Sequence, residues 1–431
     1  MTLTISRRSL VAGAAGLALA TGLSTPAAAQ DVSITWLITN AANTVAAAEA
    51  IVEAFEDANP EINVDIELRP GGGEGDNIVK TRLATGAMAD VFSYNSGSLF
   101  QAINPTQNLL PLTNEAFQDG VQDSFKSVVS AGGEVYGAPF APAMGGGIFY
   151  NKPIYEELGL EVPTTWDEFM ANNEAIKEAG KVAVIQTYAD TWTSQLFVLS
   201  DFFNVLAEEP DFAEKFTANE AKFATSPAAL RGFEKLQEVA EAGYFNADFG
   251  AATYADGVRM IAMGEGAHYP MLTFAVGAIA ETAPDYLDDV GFFAQPGDSA
   301  DSNGLTTWMP DSVYVAANTA SPDLAKDFVA FVASPEGCEV RNEAVGATGP
   351  YMVAGCELPA DVPPSVSDML PYFQEGGQNA PALEFLSPVK GPALEQILVE
   401  VGTGSRDAAS AAALYDEDVR KQAQQLGLEG W

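Results

Sequence analysis

Hydrophobic and polar positions near the start of the chain alternate in a way that predicts strands and helices in turn. Residues 32–38 are apolar on both faces toward their end, which is typical of a strand in a buried parallel sheet. A helix follows and ends at Asn59 and Pro60. Its apolar face comprises Val45, Ala48, Ile51, Val52 and Phe55. Residues 62–68 then alternate between apolar and polar, as a half-buried strand does.

Two more elements complete this first pattern. Gly71, Gly72 and Gly73 predict a turn before a helix around residues 78–84, and residues 90–94 predict a third strand. Three strands that alternate with two helices predict a doubly wound α/β domain.

The alternation of strand and helix restarts at residue 182, now with longer helices. Helices are expected after Ser226 and after Ser321, each followed by proline, and residues 381–426 have the pattern of helices with Ala-rich faces. A chain of 431 residues, 47% of them hydrophobic, can bury two cores. We therefore expect two domains.

Residues 149–169 (FYNKPIYEELGLEVPTTWDEF) combine several helix-ending and helix-starting signals. Gly159 is expected to end one helix. Thr165 and Glu168 have the spacing of a capping box for the next helix, whose first turns bury Trp166. All these features are structural, so we expect a scaffold element here, and we assign Trp166 and Trp36 to packing.

The first 29 residues predict export. Arg7 and Arg8 precede a short uncharged apolar run and an Ala-rich cleavage site at residues 27–29, which is typical of a removable signal peptide. The paired arginines resemble a twin-arginine signal, and an ordinary secretory signal is the alternative. No later segment has the pattern of a membrane span, and no cysteine lies near the cleavage site. We expect a soluble periplasmic protein without a lipid anchor.

Charge and cysteine content restrict the function further. A formal net charge of −39 disfavours nucleic acid and anionic membranes as partners, and the scattered acidic residues indicate a solvated surface. Cys338 and Cys356 are the only cysteines. In an exported protein their simplest interpretation is a disulfide, worth about 3 kcal/mol. Two thiolates are too few ligands for a metal site, and no cofactor is expected.

Six segments, taken in order, carry a resemblance to a known family. They are 46–68, 83–91 (LATGAMADV), 133–139 (GEVYGAP), 149–169, 263–267 (MGEGA) and 325–337. Together they resemble the extracellular solute-binding proteins of ABC importers, in particular the sugar-binding family that includes the maltodextrin-binding proteins. Ala89 departs from the family pattern, which has proline there. The segments span nearly the whole mature chain.

The resemblance implies an α/β, type II-like periplasmic-binding-protein fold of two lobes, each a doubly wound sheet. The ligand would lie in the cleft between the lobes, which are joined by three crossings near residues 139–143, 306–311 and 349–353. The implied first lobe is 31–140 plus 312–350, and the implied second lobe is 141–307 plus 351–431. Hinge closure around the ligand is the expected motion.

The implied function is that of a monomeric receptor, without enzymatic activity, that binds a mono- or oligosaccharide and passes it to membrane permease subunits. Aromatic faces and planar polar side chains bind sugars, and in open α/β lobes they are expected in the loops after strands. The candidates are chosen because they lie at strand ends, in predicted crossings or at positions where the family places ligand-binding residues. The candidate ligand-binding residues are Asn40, Tyr94, Asn95, Ser98, Met144, Gly146, Asp190, Trp192, Phe274, Trp308 and Tyr351.

Two other functions stay open at this point. A binding protein for a polyol, or for a cation such as a polyamine, would suit an acidic cleft, whereas a single arginine such as Arg69 or Arg259 would permit an acidic ligand. An exported glycoside hydrolase would need a pair of carboxylates, and no pair stands out among the 59 acidic residues. Serine-type catalysis would depend on His268, the only histidine.

Overall fold

The computed structural model describes residues 32–374 and 376–431. The predicted signal peptide, residues 1–29, lies outside the described residues. Within the described residues, strands and helices alternate along most of the chain. No helix among them is both long enough and apolar enough to cross a membrane.

The strands build two main sheets and one small hairpin. They are β1 (Val32–Thr39), β2 (Ile62–Arg69), β3 (Val91–Tyr94), β4 (Ser130–Ala131), β5 (Glu134–Val135), β6 (Gly137–Pro139), β7 (Met144–Asn151), β8 (Val182–Val184), β9 (Gly266–Leu272), β10 (Val290–Ala294), β11 (Leu305–Trp308), β12 (Ser312–Val315) and β13 (Asn379–Pro381).

Helices cover both sheets. They are α1 (Ala42–Ala58), α2 (Gly72–Thr85), α3 (Ser98–Gln101), α4 (Pro105–Asn108), α5 (Asp123–Val128), α6 (Lys152–Leu158), α7 (Trp166–Glu178), α8 (Leu196–Ser200), α9 (Phe202–Glu208), α10 (Phe212–Thr217), α11 (Pro227–Glu241), α12 (Tyr254–Ala262), α13 (Ala275–Thr282), α14 (Pro322–Val332), α15 (Pro335–Val345), α16 (Pro364–Phe373), α17 (Leu383–Leu386), α18 (Leu394–Gly402) and α19 (Ala408–Leu426). Short 3-10 helices span Ala116–Gly120, Thr191–Gln195, Pro284–Asp289 and Ala300–Ser302.

The first sheet has the strand order β2-β1-β3-β12-β6. Strand β1 runs parallel to β2 and β3, whereas β12 runs antiparallel to β3 and β6. The carboxyl ends of β1, β2 and β3 therefore lie at one edge, which brings Thr39, Arg69 and Tyr94 to the same side of the sheet.

The second sheet has the order β13-β11-β7-β9-β8, and β10 pairs with the second half of β7. Its central strand, β7, begins at Met144, directly after the chain leaves the first sheet at Pro139. The chain returns to the first sheet between β11 and β12, over residues 309–311.

Each sheet has its own apolar packing. The first sheet, α1, α14 and neighbouring helices share one buried cluster that includes Trp36. The second sheet lies among two further clusters, one of which contains Trp166. Both tryptophans are almost fully buried, which confirms their assignment to packing. The two-lobed α/β fold is thereby confirmed.

One stretch packs differently from the division that the resemblance implies. The resemblance assigns residues 351–356 to the second lobe, but Val353 belongs to the buried cluster of the first sheet, and Met352 and Cys356 pack against that cluster. The backbone N–H of Gln122 donates to the carbonyl of Met352 at 2.9 Å, and the N–H of Ala354 donates to the carbonyl of Gly120 at 2.8 Å. These backbone hydrogen bonds hold the stretch on the first lobe until the chain reaches α16.

Local signals in the sequence are largely followed. The hydroxyl of Thr165 accepts from the backbone N–H of Glu168, whose side chain bonds back to Thr165, and this completes the predicted capping box. Gly159 ends α6 in the left-handed conformation. The turn predicted at residues 71–73 is wrong, because α2 already begins at Gly72.

The predicted disulfide joins Cys338 in α15 to Cys356, with the two Cα atoms 5.7 Å apart. Cys338 lies in the helix that precedes the third connection, and Cys356 is the last residue of the stretch that packs on the first lobe. The bond therefore fixes that stretch against α15.

Candidate ligand cleft

The cleft lies between the strand ends of the two sheets, and its two faces touch at several points. At one edge, Asn43 at the start of α1 donates through Nδ2 to the carbonyl oxygen of Phe274, 3.4 Å away. Further along, the backbone N–H of Gly73 in α2 donates to Oε1 of Glu395 at 3.3 Å. The N-termini of α1 and α2, which follow β1 and β2, therefore face the second lobe.

A cluster of charged and polar groups occupies the first lobe's side of the cleft. The buried Arg69, at the end of β2, donates from Nη2 to the carbonyl of Ser93 at 3.1 Å, and its guanidinium lies 5.6 Å from the ring centre of Tyr94. Burial lowers the pKa of Arg69, while the charges of Asp311 and Asp76 raise it.

The two acids beside Arg69 also have shifted pKa values. Burial raises the pKa of Asp311 to about 6, and the opposing effect of Arg69 is smaller. Burial also raises the pKa of Asp76, against the charges of Lys80 and Arg69. Burial and the charge of Asp76 raise the pKa of Tyr94 well above its usual value.

On the second lobe, an ion pair lies next to a tryptophan at the end of β11. Lys390 and Glu384 are 2.9 Å apart, and both side chains are largely buried. The indole N–H of Trp308 donates to Oε1 of Glu384 at 2.6 Å. The Trp308 ring covers Gly146 in β7, where a Cβ atom would lie 2.2 Å from a ring carbon, so only glycine fits beneath it.

Three aromatic rings form the other part of the second lobe's face. The ring centre of Trp192 lies 5.5 Å from that of Tyr254 and 6.0 Å from that of Phe274. Tyr254 and Phe274 are 5.6 Å apart. Trp192 also reaches the first lobe, since a Cβ at Gly72 would lie 3.2 Å from its Cδ1. We call Trp192, Tyr254 and Phe274 the aromatic cluster.

Glu395 connects the second lobe to the start of α2. Its carboxylate accepts from the backbone N–H of Gly73. A carboxylate at a helix N-terminus interacts favourably with the exposed N–H groups there. Burial nevertheless raises the pKa of Glu395.

Several of the predicted ligand residues meet at this cleft. Tyr94, Met144, Gly146, Trp192, Phe274 and Trp308 lie in or directly beneath the clusters described above. Met144 packs with Trp308 as part of the floor under the ion pair. Tyr94 is fully buried, whereas Trp192 and Phe274 are half-buried.

The remaining predicted residues have other contacts. Asn40 is exposed, and Asn95 accepts from the Tyr314 hydroxyl through its backbone carbonyl at 3.0 Å. Ser98 is buried. Asp190 accepts from the backbone N–H of Tyr254 at 2.7 Å, so it holds the start of α12.

Tyr351 faces away from the aromatic cluster. Its hydroxyl donates to Oδ1 of Asn342 in α15 at 2.5 Å. It packs beside Phe140 and Val353 where the first and third connections run together.

Sequence reasoning missed most of the charged cleft residues. Arg69 was considered only as a partner for an acidic ligand, and Asp311 could have been found because it lies in a predicted crossing. Asp76, Glu384, Lys390 and Glu395 come from segments that show only helix or loop patterns, and folding alone brings them to the cleft. Arg259, the other arginine considered for an acidic ligand, is paired with Glu265.

Neither a histidine nor a metal site is found at the cleft within residues 32–374 and 376–431. His268 is fully buried in the second lobe, with Nε2 2.6 Å from the Tyr155 hydroxyl and Nδ1 2.8 Å from Oδ1 of Asn173. Burial lowers the pKa of His268 to about 3. No group of three or more His, Cys, Asp or Glu side chains in the described residues could hold a metal ion.

Two α/β lobes that face each other across a polar and aromatic cleft define a solute-binding protein. The model of the bacterial extracellular solute-binding protein family matches residues 41–337, more than half of the chain. The chain therefore belongs to this family, as the resemblance predicted.

Two curated relatives illustrate the sequence similarity. The multiple sugar-binding protein of Streptococcus mutans is 26% identical over 310 residues, which cover 71% of this chain and 71% of that protein. The melibiose/raffinose/stachyose-binding protein MelE of Bacillus subtilis is 23% identical over 301 residues, which cover 68% of each chain.

Solved structures support the fold. A chitin oligosaccharide binding protein superposes with a TM-score of 0.79 at 22% identity, covering 92% of this chain and 100% of its own. The solute-binding protein RafE in complex with raffinose superposes with a TM-score of 0.74 at 23% identity, covering 92% and 99%.

Proposed function

We propose that this protein captures a neutral mono- or oligosaccharide in its interlobe cleft and delivers it to the permease subunits of an ABC importer. The observation that carries the proposal is the aromatic cluster, which faces a set of buried charged groups across the cleft. Aromatic faces stack on the C–H faces of sugar rings, and carboxylates and guanidinium groups bind sugar hydroxyls. The two curated relatives are named as sugar-binding proteins, and this supports a carbohydrate as the ligand.

The roles of individual residues follow from this arrangement. Trp192 and Phe274 would stack on the sugar from the second lobe. Arg69, Asp76 and Asp311 would bind its hydroxyls from the first lobe, with Tyr94 as their buried support.

Capture would require the lobes to open and close. We place the first lobe at residues 32–140 plus 312–356 and the second at 144–308 plus 364–431. Hinge motion at the connecting segments would separate Gly73 from Glu395 and Asn43 from Phe274, and the ligand would favour the closed arrangement. The receptor would act as a periplasmic monomer without a lipid anchor, exported by the signal in residues 1–29.

Ligand screening of the purified mature protein tests the ligand class. Thermal shift and calorimetry against neutral mono- and oligosaccharides, polyols and polyamines should give a saturable response to at least one carbohydrate. The control is the Trp192→Ala variant, whose response to the same carbohydrate should be weaker. A response to polyamines alone would contradict the proposal and favour a cation receptor.

Enzymatic activity is tested separately. Incubation with chromogenic glycosides, followed by chromatography of the bound sugar, should return the carbohydrate intact. Hydrolysis that is lost in Asp311→Asn or Asp76→Asn would contradict a pure receptor role.

A further inference from the structure

A small cavity lies at the hinge, apart from the ligand cleft. It has room for about one water-sized sphere and opens to solvent. Its walls come from the first connection at Pro139–Ala141, from the stretch containing Tyr351 and Val353, and from α15. Most of these walls are apolar.

The guanidinium of Arg341 is the charged group that lines this cavity. Arg341 is only 6% exposed, and its Nε and Nη1 atoms have no hydrogen-bond partner among the described residues. The Tyr351 side chain also lines the cavity, and its hydroxyl donates to Oδ1 of Asn342 at 2.5 Å. Unpaired N–H groups of a buried cation are costly, so buried charges are normally paired with an opposite charge.

No carboxylate fills that role. Among residues 32–374 and 376–431, none forms an ion pair with Arg341, and Tyr351 is the one titratable group that acts on its charge. Arg231, by contrast, is paired with both Glu238 and Asp298. Burial lowers the pKa of Arg341, in line with the cost of this unpaired charge.

We propose that Arg341 forms a binding site for a small monovalent anion such as chloride at the hinge. One buried guanidinium balances one negative charge, and its unpartnered N–H groups supply charge-assisted hydrogen bonds. The apolar walls limit the number of water molecules around the ion, which strengthens this attraction.

The disulfide supports the site mechanically. Cys338 lines the cavity one turn before Arg341, and its bond to Cys356 fixes α15 against the stretch that carries Tyr351. An anion bound by Arg341 would therefore contact both connecting segments at once. It would stabilise the hinge region of the first lobe.

Anomalous diffraction tests the site directly. Crystals of the mature protein grown in bromide should show an anomalous peak within hydrogen-bond distance of the Arg341 guanidinium. A data set without a peak at that position would overturn the proposal.

A stability titration tests the same site in solution. Chloride is exchanged for gluconate at constant ionic strength, and Tm is followed by circular dichroism. Saturating chloride at roughly 100 times Kd should raise Tm by about 3–5 °C. The Arg341→Met variant should lose this dependence, and Arg420→Met is the matched control, because Arg420 is exposed and paired with Glu417.

Each result of the chloride titration either supports or contradicts the anion site. A Tm that does not respond to chloride, or one that responds equally in Arg341→Met, would contradict the site. If Arg341→Met does not fold, Arg341→Gln replaces it, and its Tm should not depend on chloride. A chloride dependence in Arg341→Gln equal to that of the unmodified protein would overturn the proposal.

Discussion

Single side chains divide the cleft into stacking groups and polar groups. Trp192 is half-buried and touches both lobes, so its ring is placed to contact a ligand. Tyr94 is fully buried, so replacing it by alanine would remove packing as well as any ligand contact. Trp192 is therefore the cleaner probe of sugar binding.

Trp192→Ala should weaken carbohydrate binding by about 1–3 kcal/mol, or roughly 5- to 150-fold in Kd, because stacking and desolvated area are lost. Titration calorimetry measures the Kd of both proteins for the carbohydrate. Trp431→Ala is the control, since Trp431 packs on Phe216 outside the cleft and its loss should leave Kd unchanged. Equal Kd values for Trp192→Ala and the unmodified protein would remove Trp192 from the site.

Asp311 should make the protein more stable at low pH. Because burial raises its folded-state pKa to about 6, the folded protein binds this proton more tightly than the unfolded chain does. Its contribution to the free energy of unfolding is therefore lost as pH rises from about 4 to about 6. Asp311→Asn should be more stable by about 1–3 kcal/mol at pH 7.5, and the difference should vanish near pH 4.

Asp90→Asn is the matched control with the opposite sign. Burial alone would raise the pKa of Asp90, but hydrogen bonds from Thr319 and Thr35 lower it overall. Asp90→Asn should therefore be less stable than the unmodified protein at neutral pH, and the difference should shrink as pH falls below about 4. Urea unfolding at several pH values measures the free energy of unfolding of both variants. If the two variants showed the same pH dependence, the opposite pKa shifts of Asp311 and Asp90 would be contradicted.

Among the helices, start and stop signals determine how the second lobe begins. The capping box of Thr165 and Glu168 satisfies N–H groups at the start of α7, and Asn151 caps α6 through its side chain. Neither cap lies at the cleft. Residues 149–169 thus act as scaffold, as their pattern predicted.

Thr165→Ala should lower the free energy of unfolding by about 1 kcal/mol, because the N–H of Glu168 loses its acceptor. Urea unfolding measures the loss. Thr282→Ala is the control, because the Thr282 hydroxyl bonds to the carbonyl of Ala278 within its own helix and caps no N-terminus. A cost as large for Thr282 as for Thr165 would contradict a capping effect.

For the molecule as a whole, the contact between α1 and α13 links the two lobes. Gly277 in α13 faces it: a Cβ there would lie 3.3 Å from the carbonyl oxygen of Val345 and 3.6 Å from Cβ of Asn43. A larger side chain at Gly277 would therefore separate the lobes at this edge.

Gly277→Leu should weaken ligand binding, because the closed arrangement of the lobes is destabilised relative to the open one. Small-angle scattering should show a larger radius of gyration for the variant at the same ligand concentration. Gly250→Ala is the control, because Gly250 is exposed, has open space around its Cα and does not have a positive φ. Unchanged scattering and affinity in Gly277→Leu would contradict closure at this edge.

The two-lobed fold and the family could be predicted because their signals are local. Apolar periodicity, caps at Thr165 and Ser226, and the ordered segments shared with the family each depend on neighbouring residues. The strand-end rule also found Tyr94, Trp192 and Trp308, since a strand end lies at the sheet edge whatever its partner is. The cysteine pair was predicted for a similar reason, because two cysteines allow one pairing.

The charged cleft and the hinge cavity depend on the tertiary structure. Glu384, Lys390 and Glu395 lie more than 300 residues from Arg69 in the chain, and no local pattern marks them. The buried Arg341 looks like an ordinary helix residue until the connections pack around it. The sequence alone determined the elements and the family, because hydrophobic periodicity is read over a few residues. The tertiary structure decided which charges meet and which stay unpaired, because burial and pairing arise only where distant segments come together.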